Sequence, residues 1–462
     1  MTASYSLVPP CERHSGPRAA RCPFRGTVPG PNLPAAGRGA PGAAQGGTMI
    51  YADAGQLTEE QRMMRDSCRA FVDDVVTPFI RRNWRQEWDM SPGDRLPPSI
   101  LEGAEEIGIR TLGIPEEYGG FDLDQGTEVR TFALIAEEVA RGDSGLADKL
   151  VQNWKVAILL RELAAPETLA EVFPKLRADP QYLMAHALTE PRGASDRWLP
   201  YNVPEAAMQT TARQDGDGWV LNGTKHYISN GFDASLYVIY ANTDRTKGML
   251  QGTSSFVVPR DTPGLRVTKC NETIGCRYMN NGEIVLEECR LPASALLVRD
   301  TALGGAGKYF RAGKIIQAAK NLGVGVACFE RTADFVQTHV QGGRILIKHQ
   351  AVAVRLADMA TRIAAVRALV EKASLAVDEN RPEMDVLCNM AKVYASEEIM
   401  KVAQHMLELH GGHGAMLENG IEKLFRDAAI FLHMDATVDI SHMKIVKAMY
   451  PDTAGAYAGP EG

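Results

Sequence analysis

The 462-residue sequence contains no apolar run long enough to cross a bilayer, so it does not read as a helical membrane protein. It also lacks an excess of basic charge: the formal net charge is −7, and nothing electrostatic points to nucleic acid. The eight cysteines form no CxxC pair and no metal-like spacing, which fits free buried thiols in a reducing compartment and gives no metal site. Cys270 and Cys276 are near one another in sequence but read as ordinary buried thiols. Residues 1–48 lack acid, with Glu12 the sole exception, and they lack any periodic apolar face. Prolines from Pro9 to Pro41 would break a presequence helix, and no secretory apolar core is present. This segment is expected to be a disordered extension ahead of Met49, a natural start, and the protein is expected in a bacterial cytoplasm rather than a mitochondrion.

What remains is ordinary in composition. With 45% hydrophobic and 23% charged residues, the chain can bury two or three cores. From Met49 the apolar spacing is helical, opening on Thr58 and Gln61 as a capping box and continuing through Ile100–Ile109, Thr127–Arg141, Ala147–Leu163 and Glu167–Leu176. The period then changes to two. GWVLNGTKHYIS, SLYVIYA, SSFVVP, LRVTK and EIVLEECRLP are short β-branched runs separated by turn residues such as Asp217–Gly218. After Leu297 helical stripes return, for example Ile315, Ala319, Leu322 and Val326, and these describe an antiparallel bundle. The expected fold is α+β and multidomain: an N-terminal α-helical domain at 49–185, a central antiparallel β domain or barrel at 186–298, a C-terminal bundle at 299–450 and a tail at 451–462.

The most informative stretch is Leu409–Ile440, LHGGHGAMLENGIEKLFRDAAIFLHMDATVDI. Gly411, Gly412 and Gly414 permit a tight turn or the close approach of something bulky. Ile421, Leu424 and Ala428 mark one face of a short helix, and Asp435 follows at a helix junction. Thr437 is placed to cap the next helix, although Asp435 could instead be a simple cap itself. GGHG, EKLFRDA and DAT in this order resemble the C-terminal motifs of the acyl-CoA dehydrogenase family. ALTEPRGASD (187–196), LNGTKHYISNG (221–231) and the IPEEYGG…EEVAR pair of the first domain resemble the same family, so the likeness spans roughly Gln56–Met449.

The resemblance implies a four-helix bundle at the C-terminus, FAD as cofactor, an acyl-CoA substrate and an electron-transferring flavoprotein as acceptor. It implies Asp435 as the base that takes the α proton, where the family commonly has a glutamate. Leu188 and Thr189 would lie along the flavin ring, with His186 beside them where many members have an aromatic. Ser195 would reach the cofactor or CoA phosphate region, Tyr227 would present an aromatic plane in place of a tryptophan, and Ser229 would offer a hydroxyl in place of a threonine. Gly411, Gly412 and Thr437 would approach the FAD of the same or a neighbouring subunit, which implies a homotetramer or homodimer. Enclosure by flavin and thioester is expected to raise the Asp435 pKa. Arg426 and Asp427 are expected to form a structural ion pair.

Several residues depart from the family pattern. Arg192 takes the place of a glycine, His339 and Gly342 fall where an arginine and a phenylalanine are usual, and Lys314 replaces an arginine. Gly313 stands where some branched-chain members carry their base. Asp148 is a second candidate acid. An aspartate base is one methylene short of a glutamate and is shared with members acting on alicyclic thioesters, so the acyl group is expected to be alicyclic or branched. Nitroalkane oxidases also resemble the chain at this aspartate, but they pair it with an arginine where His442 stands here. A flavin-poor, non-catalytic partner subunit is the other alternative.

Overall fold

The capping box forms as expected: Thr58 Oγ1 accepts from Gln61 N at 3.1 Å, and Gln61 Oε1 accepts from Thr58 N at 3.2 Å. It opens helix α1, Glu59–Phe71. The computed structural model describes residues 57–124, 126–198, 202–304 and 307–450, and these belong to one compact unit. The expected extension at 1–48 and the tail at 451–462 lie outside the described residues.

Three long helices complete the N-terminal layer: α2 (Glu128–Gly142), α3 (Ser144–Leu163) and α4 (Pro166–Ala178). Asp143 separates α2 from α3 and caps the latter, its Oδ1 accepting from Leu146 N at 2.8 Å. Helix α3 is buried from Ser144 to Leu160 on every face. Such a helix must satisfy several neighbours at once, and its polar residues are correspondingly constrained. Asn153 accepts from Met184 N at 2.8 Å and the Lys149 carbonyl accepts from Asn230 Nδ2 at 2.9 Å, which ties α3 to the β layer.

The β layer comprises β1 (Met184–Ala187), β2 (Thr211–Asp215), β3 (Gly218–Ile228), β4 (Leu236–Asn242), β5 (Thr253–Pro259), β6 (Leu265–Cys270), β7 (Gly282–Leu291) and β8 (Leu296–Val298). The strand order is β6-β7-β3-β2-β4-β5-β8, with β1 paired to β4. The sheet is not purely antiparallel: β1 runs parallel to β4, Met184 opposite Leu236, and β2 touches β4 in parallel at Thr211 and Asn242. The chain enters β1 from the helical layer and not through a hairpin, so nothing forces it to reverse direction. A second apolar core fills this layer around Trp219, Tyr237, Phe256 and Ile284.

The C-terminal bundle is built from α5 (Gly307–Thr338), α6 (Gln350–Asp378), α7 (Met384–His410) and the later α9 (Val438–Met449), with the short α8 (Ile421–Ile430) packed against α7. Helix α5 also packs along α2 and α3, so it joins the bundle to the N-terminal layer. Gly323 allows that approach: a Cβ there would stand 2.2 Å from the Glu137 carbonyl oxygen. Arg426 and Asp427 do not pair with each other. Arg426 bonds to Glu87 and Glu422, while Asp427 accepts from Lys423 Nζ and Cys276 N, because successive helical residues point in different directions.

Candidate active site

The N-terminal layer, the β layer and the bundle meet around a cavity of about 700 Å³. Helix α3 lines it with Asp148, Gln152 and Lys155, spaced to share one helix face. Strand β1 and its exit supply His186, Leu188 and Thr189, and the end of β3 supplies Tyr227 and Ser229. Helix α5 adds Tyr309, Gly313 and Lys314, and the loop between α8 and α9 adds Asp435 and Thr437. Residues assigned from distant motifs therefore share one enclosure.

Local backbone geometry explains why they project as they do. The ladder between β3 and β7 is irregular between Lys225 and Ile228, and Tyr227 has φ 61°, a left-handed conformation that turns its ring out of the strand. The ring is 56% exposed and stacks on His226 with centroids 4.0 Å apart. Fully buried Lys225 holds the neighbouring loop, donating to the Leu188 carbonyl at 3.1 Å and to Glu190 at 3.2 Å. His226 N donates to the Thr189 carbonyl at 2.9 Å. An uncovered aromatic plane beside the hydroxyls of Thr189 and Ser229 suits a flat heteroaromatic ring, so these residues fit the isoalloxazine of FAD.

Asp435 and Ala436 both have positive φ, 52° and 84°, which bends the chain sharply before α9. The helix cap is Thr437, whose Oγ1 accepts from Ile440 N at 3.3 Å, and this leaves the Asp435 carboxylate free for another role. That carboxylate receives Lys155 Nζ at 3.0 Å on each oxygen. Burial by itself raises a carboxyl pKa. Here Lys155, followed by Lys314 and Lys320, overrides burial and holds Asp435 well below the ordinary carboxylate range. The expectation for Asp435 concerned its enclosure by flavin and thioester and did not count these lysines, which set its charge in the protein by itself.

The other acids on the cavity wall are less available. Asp148 has no accessible surface and is paired with Lys320. Glu272 sits at the exposed rim and is paired with Arg277 and Arg95. His186 is enclosed edge-on by Tyr240 at 4.9 Å and close to Tyr309 at 4.7 Å; burial, with Lys155 and Arg197, keeps its imidazole neutral. Ser195 lines the cavity with an exposed side chain. Arg192 is tied back to the carbonyls of Ala206 and Ala207 at 3.2 and 2.6 Å.

Gly411 and Gly412 are not among the cavity-lining residues. They follow His410, which stacks on Phe335 at 4.4 Å in a cluster that includes His339 and His413. His442 is exposed on α9 and likewise does not line the cavity. The residues that sequence reasoning missed are Lys155, Arg197 and Lys444. Their only advance sign was a basic residue within an apolar pattern, as in WKVAILL around Lys155.

The chain matches the descriptions "Acyl-CoA dehydrogenase, N-terminal domain" over residues 58–178, "middle domain" over 185–289 and "C-terminal domain" over 306–450. It is 28% identical over 399 residues to the short-chain specific acyl-CoA dehydrogenase of Rattus norvegicus mitochondria, covering 84% of this chain and 90% of that one. The cyclohex-1-ene-1-carbonyl-CoA dehydrogenase of Geobacter metallireducens is 29% identical over 394 residues, covering 85% and 98%. The solved structure of butyryl-CoA dehydrogenase from Megasphaera elsdenii superposes with a TM-score of 0.76 at 26% identity, covering 85% and 99%.

Proposed function

The chain belongs to the acyl-CoA dehydrogenase family, and on that premise we propose that Asp435 takes the α proton of a non-linear acyl-CoA thioester. The protein is an FAD-dependent oxidoreductase acting on the CH–CH bond of acyl-CoA. FAD, when bound, supplies the acceptor for the hydride that leaves the β carbon. The chain's own residues supply placement: Tyr227, Leu188, Thr189 and Ser229 hold and orient the ring, with Ser195 toward the phosphates. The observation that carries the reading is that Asp435 shares its cavity with all of these residues.

Lys155 keeps Asp435 ionised, so the carboxylate need not lose a proton before it accepts one. The same lysine lowers its proton affinity, and the base gains strength when its cations turn toward another anion. The short aspartate arm favours an alicyclic or branched acyl group that brings its α carbon close. The resemblance to a cyclohexene-carbonyl-CoA dehydrogenase supports that choice. The acceptor in this reading is an electron-transferring flavoprotein. Gly411 and Gly412, outside the cavity of their own chain, serve the cofactor of a neighbouring copy in a homotetramer or homodimer. A bacterial cytoplasmic setting fits this reading, and no helix among the described residues is long and apolar enough to span a membrane.

One observation favours a second reading. A nitroalkane oxidase needs a cation near its aspartate, and although His442 does not provide it, Lys155 and Lys314 line the cavity. The deciding experiment is anaerobic titration of the purified flavoprotein. Bleaching of the flavin band by cyclohexanecarboxyl-CoA or isobutyryl-CoA, without oxygen consumption on nitroethane, is expected. Steady oxygen uptake with nitroethane and no bleaching by thioesters would replace the dehydrogenase reading, and a purified chain that binds no flavin would replace both.

A further inference from the structure

The end of the cavity beneath Asp435 carries more buried cation than its acids balance. Lys155 and Lys320 have partners, Asp435 and Asp148 respectively. Lys314, 7% exposed, lines the cavity within reach of the Asp435 charge, but no carboxylate among the described residues lies at ion-pair distance from it. Beside it Arg197 lines the same wall, its Nε without a hydrogen-bond partner, held over Phe310 at 4.7 Å and Trp198 at 4.8 Å. Behind these, Lys444 lies 3.7 Å from the Trp198 ring centroid. Lys392 is fully buried with no partner for its Nζ.

These groups come from separate elements. Helix α3 supplies Lys155 and Asp148, α5 supplies Lys314 and Lys320, α7 supplies Lys392, α9 supplies Lys444, and the loop after β1 supplies Arg197. Asp435 faces all of these cations and Glu397 of α7 acts on Lys392 as well; Cys388 of α7, Tyr309 of α5 and His186 of β1, whose neutral forms burial favours, add no further negative charge. An apolar acyl chain offers such a wall nothing. Desolvated ammonium groups left without counter-charge are costly, and an arriving anion removes that cost.

We propose that this end of the cavity receives an anionic group, so that the substrate is an acyl-CoA thioester whose acyl part carries a carboxylate remote from the thioester, held by Lys314 and Arg197 with Lys444 behind them. The proposal rests on the dehydrogenase reading above and narrows its substrate class. It also assigns a use to the low proton affinity of Asp435. A second carboxylate shares the cations that depress Asp435, and so the base is stronger with such an acyl group seated than with an apolar one. Burial, with Lys314 and Arg197, drives Lys444 down to about 4 and leaves that amine neutral behind the wall, while burial brings Lys314 only to about 8, so Lys314 and Arg197 are the cations that face this end of the cavity.

The test uses the flavin-loaded holoenzyme and two probes of similar length, glutaryl-CoA and hexanoyl-CoA. Binding is read by calorimetry and dehydrogenation by anaerobic bleaching. Both probes carry the same CoA, so contacts to its phosphates cancel in the comparison. Glutaryl-CoA is expected to bind at least about tenfold more tightly than hexanoyl-CoA, a charge-assisted contact being worth about that much. In Lys314→Met the ratio should fall to near one, and in Lys314→Arg it should be restored, with flavin content per chain reporting that each variant is folded. Equal or tighter binding of hexanoyl-CoA by the parent, or an unchanged ratio in Lys314→Met, would overturn the proposal. Preferential binding of glutaryl-CoA with no bleaching by any thioester would instead overturn the dehydrogenase reading and leave the anion site standing.

Discussion

Lys155 and Asp435, separated by 280 positions in the chain, meet with the lysine Nζ 3.0 Å from each oxygen of the carboxylate. The lysine is 4% exposed and the aspartate 31%, so the pair is fixed on the α3 side and open on the cavity side. Such a contact orients the carboxylate and sets its charge together. Breaking one partner leaves the other buried and unpaired, which makes the pair a sensitive place to intervene.

Asp435→Asn preserves shape and can still hydrogen-bond, but it cannot accept a proton from carbon. It should keep its flavin and bind acyl-CoA while losing the anaerobic bleaching rate by at least about a hundredfold, the low end for removing a general base. Asp435→Glu should retain part of the rate and shift preference toward straight-chain thioesters. Near-parental bleaching by the Asn variant would move the base elsewhere, with Asp148 next to be changed.

Lys155→Met should move the acid limb of the bleaching profile upward in pH. With the folded pKa of Asp435 depressed, the carboxylate is ionised across the working range, and its stabilising pairing is lost only as pH falls through that depressed value. Without Lys155, the opposing effect of burial raises the pKa, and the rate falls off at higher pH than in the parent. An unshifted limb measured from pH 4 to 8 would mean that Lys155 does not set the charge of the base.

Lys392→Met should stabilise the protein by roughly 1–3 kcal/mol at pH 6, because it replaces a buried amine lacking a partner with an apolar chain of similar length. Burial, with Lys314 adding to it, brings the Lys392 pKa to about 7. Between that value and the ordinary lysine range the unfolded chain binds the extra proton, so parental stability rises with pH through this window. The gain from Lys392→Met should therefore shrink by pH 10, and a pH-independent or negative change in denaturant midpoint would contradict it.

Tyr227→Ala should weaken flavin retention by about tenfold, the scale of a lost aromatic stacking contact. Because the ring is 56% exposed and has φ 61°, its removal should leave the circular dichroism of the β layer unchanged. Undiminished flavin content after dialysis would show that the ring does not stack on the cofactor.

The sequence by itself determined the layers of this protein. Local spacing settled them: Thr58 and Gln61 announced their cap, the period-two runs from Gly218 to Pro292 announced the sheet, and stripes such as Ile315, Ala319, Leu322 and Val326 announced the bundle. The ordered motifs also named the residues gathered at the cavity, from Leu188 and Thr189 to Tyr227, Ser229 and Asp435. Tertiary structure alone decided the electrical character of that cavity. Lys155, Lys314, Lys392 and Lys444 lie on different helices, and each alone reads as one basic residue in an apolar pattern. Their charges act through space over a few ångströms, a proximity that helix packing creates and that neither period nor motif records. The same holds for the charge of Asp435 in the protein by itself: burial was foreseeable from the fold, but which cations share that burial was decided only when α3, α5 and the loop before α9 came together.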